Sequence, residues 1–315
     1  MKHLFLLFFL SPLISVAHPG IGIVKDSKGN IYYTDLEQVW KITNGKKVVI
    51  VPHVHTHELY IDKNDQLYGE GGYYDNNAEK FYHFLWVYRG NGKIDTIIGM
   101  KQAYVEHDFS LARDKEGTEY YIKDIIANKD TTHIYKRPSG GNETVFATGN
   151  FSGVKWLHPQ EDGSVLYIRD NKLYKVDENG NINLIKQGIA SARPTFRLSL
   201  DNPNTWGIWK DGSNNIYVAA FSDQRVKKID VNGNMADIYI SKGDWAPLHG
   251  VFDNDNQLWV LETSDKNEIR VTKAGGDIDV KTSAGSRRWM YLIGAGVFAS
   301  FVLIYIIQRR RKINR

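Results

Sequence analysis

The sequence predicts an all-β protein, a six-bladed β-propeller, and two interleaved sets of residues carry that prediction. Six times an aromatic residue stands in a short strand after an aspartate-led turn: Tyr32 in NIYYTD, Tyr68 in QLYGE, Tyr120 in TEYYIKD, Tyr167 in SVLYIRD, Tyr217 in NIYVAAF and Trp259 in QLWVLE. The second set follows the next strand in each unit: Asn44-Gly45, Asn91-Gly92, Gly140-Gly141, Asn179-Gly180, Asn232-Gly233 and Gly275-Gly276. Such dipeptides suit two-residue hairpins, which need positive φ. The aromatic anchors lie 36 to 52 residues apart, the size of a four-stranded blade of roughly 40–50 residues. A β-sandwich or an open meander also has short strands and glycine turns, but six copies of one two-anchor unit weigh against both.

The chain opens with MKHLFLLFFLSPLISVA, which has a basic start at Lys2, an apolar run and a small-x-small cleavage pattern at Ser15 and Ala17. This reads as a signal peptide over residues 1–17, too short to span a bilayer that needs about 20 apolar residues. The propeller is expected over residues 18–282. Within it the unit DSKGNIYYTDLEQVWKI sets the grammar: a turn at Lys28-Gly29-Asn30, a strand of high β-propensity at Ile31, Tyr32 and Tyr33, and another from Val39.

Each blade runs from strand a at the axis to strand d at the rim. The d-to-a and b-to-c connections then share one face, here called the upper face. Four histidines stand at or near the start of strand a: His57 in blade two, His107 in blade three, His158 in blade four and His249 in blade six. At the ends of strand b come Asp35, Glu70, Asp124, Asp170 and Glu262, while blade five has Ala219, Ala220 and Phe221 instead. Imidazoles with carboxylates nearby form a ligand set for zinc or a similar divalent ion. Hence His57, His107, His249 and His158 are the expected metal ligands, for zinc or calcium, and Glu58, Asp108 or Glu262 the expected general base. In PHVHTHE (52–58), alternation puts His53, His55 and His57 on one side of an extended segment, with His55 as an alternate or supporting ligand.

Two further features are expected on the upper face. Blade two carries a long b-to-c insertion, GEGGYYDNNAEKFYHFLWVY, whose Tyr73, Tyr74 and Tyr82 suit stacking on a sugar, a lactone or another flat ligand. The connection QGIASARPTFRLSLDNPNTW brings Arg193 and Arg197 there, where a guanidinium can hold a carboxylate.

After a short linker, 283–288, residues 289–307 form 19 uncharged positions, long enough as a helix to cross a membrane. Arg309, Arg310, Arg311 and Lys312 follow, outnumbering Arg287 and Arg288 before it, so the tail 308–315 is expected in the cytoplasm and the propeller outside. Eight of the 40 basic residues lie in the signal and C-terminal segments, which hold no acid. That leaves 32 basic against 36 acidic residues in the propeller, which removes the electrostatic case for nucleic-acid binding. The chain has no cysteine, which rules out disulfides and thiolate metal sites.

Units such as DSKGNIYYTDLEQVWKI and DGSNNIYVAAFSDQRVKKIDVNG resemble the NHL-repeat and gluconolactonase-like six-bladed propellers, over about residues 19–281. Gluconolactonase-like propellers bind a metal through Glu, Asn and Asp. This chain is similar to them at RPTF, NPNTWGIWKDG and HGVFDNDNQLW but has His249 where an aspartate is usual, and lacks their N-terminal glutamate motif. The histidine-led HGV strand looks more like the streptogramin-lyase propellers, in which a histidine and a metal ion act on a lactone. Peptide-amidating lyases, also six-bladed, use histidine ligands around zinc. The expected function is therefore a membrane-anchored, extracytoplasmic propeller that binds a small molecule or a protein on its upper face. The alternative is a metal-dependent hydrolase or lyase of lactone- or ester-type substrates. No Gly-x-Ser-x-Gly nucleophile and no phosphate loop points to other chemistry.

Overall fold

The computed structural model describes the backbone of residues 22–75, 80–102, 112–123, 131–154, 156–191, 204–275 and 279–282; side chains at 72–75, 80, 81, 83, 98–102, 123 and 279–282 are not described. The described strands form six antiparallel sheets, each from one contiguous stretch of chain. Blade one holds β1 (Ile23–Lys25), β2 (Ile31–Thr34), β3 (Val39–Thr43) and β4 (Lys46–Val51). Blade two holds β5 (Leu59–Ile61), β6 (Leu67–Asp75), β7 (Lys80–Gly90) and β8 (Lys93–Gln102). In blade three, β9 (Glu119–Lys123), β10 (Thr132–Arg137) and β11 (Thr144–Gly149) follow an isolated bridge from Arg113 to Glu119 at the strand-a position. Blade four comprises β12 (Leu157–Pro159), β13 (Val165–Arg169), β14 (Lys172–Val176) and β15 (Ile182–Gln187). Blade five comprises β16 (Ile208–Lys210), β17 (Ile216–Ala220), β18 (Arg225–Ile229) and β19 (Met235–Ile240). Blade six comprises β20 (Trp245–Phe252), β21 (Leu258–Ser264), β22 (Ile269–Lys273) and β23 (Asp279–Thr282).

A local hydrogen-bond pattern explains why the unit repeats. In five blades the aspartate that ends strand a accepts the backbone N–H groups two and four residues on, and its second oxygen binds the aromatic residue six residues on. Asp26 takes Lys28, Asn30 and the Tyr32 hydroxyl (2.9 Å). Asp62 pairs with Tyr68 (3.2 Å), Asp211 with Tyr217 (2.8 Å) and Asp253 with Trp259 Nε1 (2.9 Å). Asp114 and Tyr120 repeat it in blade three. The turn and the next strand are thus tied by one carboxylate. Blade four departs, because Gln160 ends its strand a and Leu166 stands at the sixth position. Tyr167, expected as the blade-four anchor, comes one residue later and so faces the other side of the strand, where it stacks on Tyr174 with ring centroids 5.1 Å apart.

The second anchor set is less uniform than expected. Asn44-Gly45 and Asn91-Gly92 have positive φ at both residues, as a two-residue hairpin requires. At Asn179-Gly180 and Asn232-Gly233 only the glycine is left-handed, because longer loops led by Asp177 and Asp230 make the turn.

Four buried apolar clusters fill the spaces between neighbouring blades among the described residues. Blade six is completed within its own sequence, since β23 pairs with β22. The ring closes by packing: β1 lies between β5 and β20, and Asn254 accepts from Lys25 Nζ (3.1 Å) and donates to the Ser27 carbonyl (3.3 Å). Among the described residues, strand a of the four-stranded blades therefore lines the axis.

The blade-two insertion is a continuation of the ladder. β6 and β7 stay paired from Tyr68 opposite Val87 to Asp75 opposite Lys80. Gly69 and Gly71 make room for the rings across from them: a β-carbon at either would meet Trp86 at 2.0 Å or Phe84 at 2.3 Å. Among the described residues no helix is long and apolar enough to cross a membrane. The signal segment 1–17, the linker 283–288, the apolar segment 289–307 and the tail 308–315 all lie outside the described residues.

Candidate functional site

Inter-blade hydrogen bonds fix which residues of different blades are equivalent. Gly22 N–H donates to the His57 carbonyl (3.0 Å), joining blade one to blade two, and Gly207 N–H donates to the Leu248 carbonyl (2.7 Å), joining blade five to blade six. His57 therefore corresponds to Leu248, and Glu58 to His249. Counted back from the turn residue that ends strand a, His57 lies five positions earlier, His249 four and His158 two. This corrects the expectation of one shared histidine position. A slip of one residue turns a side chain to the opposite face of its blade, so His57 and His249 belong to different neighbourhoods. His107 and Asp108 lie outside the described residues.

The structure does bring His158 and His249 together. They come from the axial strands of blades four and six, and their rings lie 6.5 Å apart. His249 also packs against Trp209 of blade five at 5.2 Å, and its Nε2 donates to the Ile208 carbonyl (3.2 Å). Burial holds both imidazoles neutral: His158 is pushed down to about 3, with His249 and Lys210 adding to the effect, and His249 to about 4. Higher on the same side, Trp156 at the start of blade four meets Trp206 of blade five at 5.6 Å, and Trp206 meets Phe221 at 5.9 Å. Trp206 is 3% exposed, whereas Trp156, His158 and His249 are half-buried.

This aromatic group holds an unusual number of unpaired polar atoms. The indole N–H groups of Trp156, Trp206 and Trp209 and the Nδ1 of His249 are all buried without a hydrogen-bond partner. Buried polar groups are nearly always paired, so four orphans around one cluster mark it out. Sequence reading missed all three tryptophans. The available signal was their position: Trp156 lies two residues before His158, and Trp206 and Trp209 bracket Gly207 at the start of strand a.

A second histidine cluster sits between blades one and two. His55 and His57 meet through their Nε2 atoms at 2.9 Å, and His57 Nδ1 lies 3.8 Å from Glu70 Oε1. The acids at the ends of strand b do separate jobs. Asp35 is buried and accepts from the backbone of Glu37 and Gln38 and from Trp40 Nε1 (2.8 Å), a structural turn. Asp170 is exposed and pairs with neighbouring Arg169. Glu262 is 0% exposed and accepts from Arg270 Nε (2.6 Å) and the Thr272 hydroxyl (2.7 Å). An ion pair sealed from solvent cannot serve as a general base, so Glu262 is a structural residue. Blade five lacks a strand-b acid because a 3-10 turn, Phe221–Asp223, delays it to Asp223, which caps the Ser191 N–H (2.9 Å) and pairs with Lys227 (3.3 Å). Asp124 lies outside the described residues.

Among the described residues no group of three or more His, Asp or Glu side chains is placed to hold a metal ion. Glu58 is half-buried at the position that His249 takes in blade six. Of the expected ligand contacts, Tyr82 is half-buried on β7 opposite Tyr73. Tyr73 and Tyr74 are on β6 with side chains outside the described set, as are Arg193 and Arg197 altogether.

No protein-family model matches this chain, and no curated protein does. Solved structures resemble it. A putative gluconolactonase superposes with a TM-score of 0.52 at 11% identity, over 83% of this chain and 89% of that one. An auxiliary nutrient binding protein from Bacteroides ovatus gives 0.52 at 11% identity, over 81% and 69%. A streptogramin B lyase gives 0.50 at 12% identity, over 82% and 95%. Likeness at such identities concerns the fold. With its six sheets in sequence order around one axis and these neighbours, the chain is a six-bladed β-propeller of the architecture that gluconolactonase-like and streptogramin B lyase propellers share.

Proposed function

We propose that this protein is a membrane-anchored, extracytoplasmic propeller that binds a ligand at the upper, axial side of blades four to six. The carrying observation is the aromatic cluster of Trp156, Trp206, Trp209 and His249 with its four unpaired ring nitrogens. Indole N–H groups are donors only, so the favoured ligand presents hydrogen-bond acceptors next to a flat surface, as a sugar or a lactone does. The half-buried members Trp156, His158 and His249 are the face it meets. A nutrient-binding protein and a putative gluconolactonase among the structural neighbours are consistent with such ligands but do not assign one.

The anchoring rests on the signal segment, the 19 uncharged residues 289–307 and the basic cluster behind them. Strand direction alternates within a blade, so β23, as strand d, ends on the upper face. Only residues 283–288 separate it from the apolar segment, a reach of about 20 Å at ~3.3–3.6 Å per residue. The binding face would then look toward or along the bilayer. The test is a tryptophan-fluorescence titration of the full chain in detergent with mono- and disaccharides, sugar lactones and aryl glycosides. Saturable quenching by one class, lost in Trp156→Ala, supports the reading. No response from any class, or one unchanged in Trp156→Ala, overturns it.

A further inference from the structure

We propose that His55 and His57, on the blade-one to blade-two crossing, bind a divalent transition-metal ion through their Nε2 atoms. This site is separate from the aromatic cluster of blades four to six and does not depend on the ligand-binding reading. Alternate residues of an extended segment face the same side, so His55-Thr56-His57 presents two imidazoles together. Their Nε2 atoms converge at 2.9 Å. With metal–nitrogen bonds of about 2.0–2.1 Å, that separation subtends about 90° at an ion, the angle of an octahedral or square-based site, whereas tetrahedral binding needs about 3.3 Å.

The other nitrogen of His55 is held by an acceptor, and that of His57 lies near a carboxylate. His55 Nδ1 lies 2.8 Å from the Leu36 carbonyl and donates to it, which fixes its proton there and leaves Nε2 as a base. His57 Nδ1 faces the Glu70 carboxylate at 3.8 Å. Carbonyl and carboxylate acceptors behind Nδ1 are the supports that orient metal-binding histidines and raise their basicity. The 2.9 Å contact is itself a hydrogen bond in which His57 Nε2–H donates to the His55 Nε2 base, so a bound ion takes the place of that proton between the two rings.

The backbone around the pair is fixed in place. Leu36 has φ +74°, a conformation that costs a branched residue energy and gathers at functional sites. Its N–H is bound by Thr34 Oγ1 (2.9 Å), so the strained turn is held where its carbonyl meets His55. Thr56, between the two histidines, is fully buried; its carbonyl accepts from Thr34 Oγ1 (2.9 Å) and its hydroxyl from Trp86 Nε1 (3.3 Å). The His57 carbonyl takes Gly22 N–H, and the His57 N–H donates to Glu70 Oε1 (3.3 Å). The His57 side chain is 32% exposed, which gives an ion a route in and leaves its remaining positions to water or a ligand.

The experiment uses the untagged full chain in detergent, stripped with EDTA and titrated calorimetrically with zinc and with nickel. One ion per chain is expected, with affinity reduced at least tenfold in His55→Gln and in His57→Gln, roughly 10–100-fold in Glu70→Gln, and unchanged in His249→Gln. Circular dichroism melts establish that each variant is folded. A readout independent of the variants is the electron paramagnetic resonance spectrum of the copper(II)-loaded wild type, which should show hyperfine coupling to two imidazole nitrogens. Absence of stoichiometric binding overturns the proposal, as do binding that survives the double variant and a His57 doubly protonated at neutral pH that excludes millimolar zinc.

Discussion

The imidazole of His249 lies directly over the α-carbon of Gly207: a β-carbon on residue 207 would stand 2.0 Å from His249 Cδ2 and 2.7 Å from the Leu248 carbonyl oxygen. Blades five and six meet through this contact, because the same glycine donates its N–H to Leu248. Gly207→Ala should therefore cost about 1–3 kcal/mol, the range of core overpacking. In a double-mutant cycle, His249→Ala should recover part of that loss, since it removes the clashing ring. Strict additivity in urea melts would show that the ring is not what Gly207 accommodates.

Acid should destabilise the protein through His158 and His249. Both are held neutral in the fold, down to about 3 and about 4, whereas an unfolded histidine titrates near 6.5. Between these values the unfolded chain binds more protons, so stability is full above about pH 6.5 and falls as the pH drops. Each histidine contributes at most about 1.4 kcal/mol per pH unit in that window. Melting midpoints measured from pH 8 to pH 4.5 should decline more gently in His249→Gln than in the wild type; parallel curves would count against a buried neutral His249.

Glu262 and Arg270 form a sealed pair, with Arg270 also lying over the Trp245 ring at 4.2 Å. Glu262→Ala leaves that guanidinium buried without its carboxylate and should cost about 3–5 kcal/mol, while Glu262→Leu with Arg270→Met should recover most of it. Calorimetric melts of the three chains give the answer. A loss below about 1 kcal/mol for Glu262→Ala would mean that the pair is open to water.

The turn aspartate is the other structural carboxylate to test. Asp211 accepts from the Ser213 and Asn215 backbone and from the Tyr217 hydroxyl. Asp211→Ala should cost about 1.5–3 kcal/mol, as expected for hydrogen bonds to a charged group. Tyr217→Phe should cost less, because the backbone bonds remain. Equal losses would place the effect in the aromatic contact and not in the turn.

The blade count and strand order were legible in the sequence because their causes are local. An aspartate, its turn and an aromatic residue six positions on lie within one hydrogen-bonded hairpin, as Asp26 with Tyr32 and Asp253 with Trp259 show. Nothing distant is needed to form that unit, so its spacing survives as a readable period. Its exception is local too: with Gln160 in place of the aspartate, the sixth position is Leu166, and Tyr167 packs in a different cluster from Leu166.

The candidate sites were legible only in part. The structure places His158 and His249 in axial strands, but the shared position expected for them with His57 does not hold, because histidines near the start of strand a differ by one to three positions in register. One position decides which neighbouring blade a side chain faces. Glu262 looked like Glu70 in sequence, yet an arginine eight residues later seals one, while a histidine thirteen residues earlier meets the other.

By itself the sequence determined a six-bladed all-β ring and its aspartate-led turns, through contacts made within single blades. Tertiary structure decided which of those residues meet: His158 with His249 over blade five, His55 with His57 beside Glu70, and Trp156 with Trp206 across a blade boundary. These contacts form between blades, where they depend on register and on the rotation from one blade to the next. No periodicity along the chain encodes that relation.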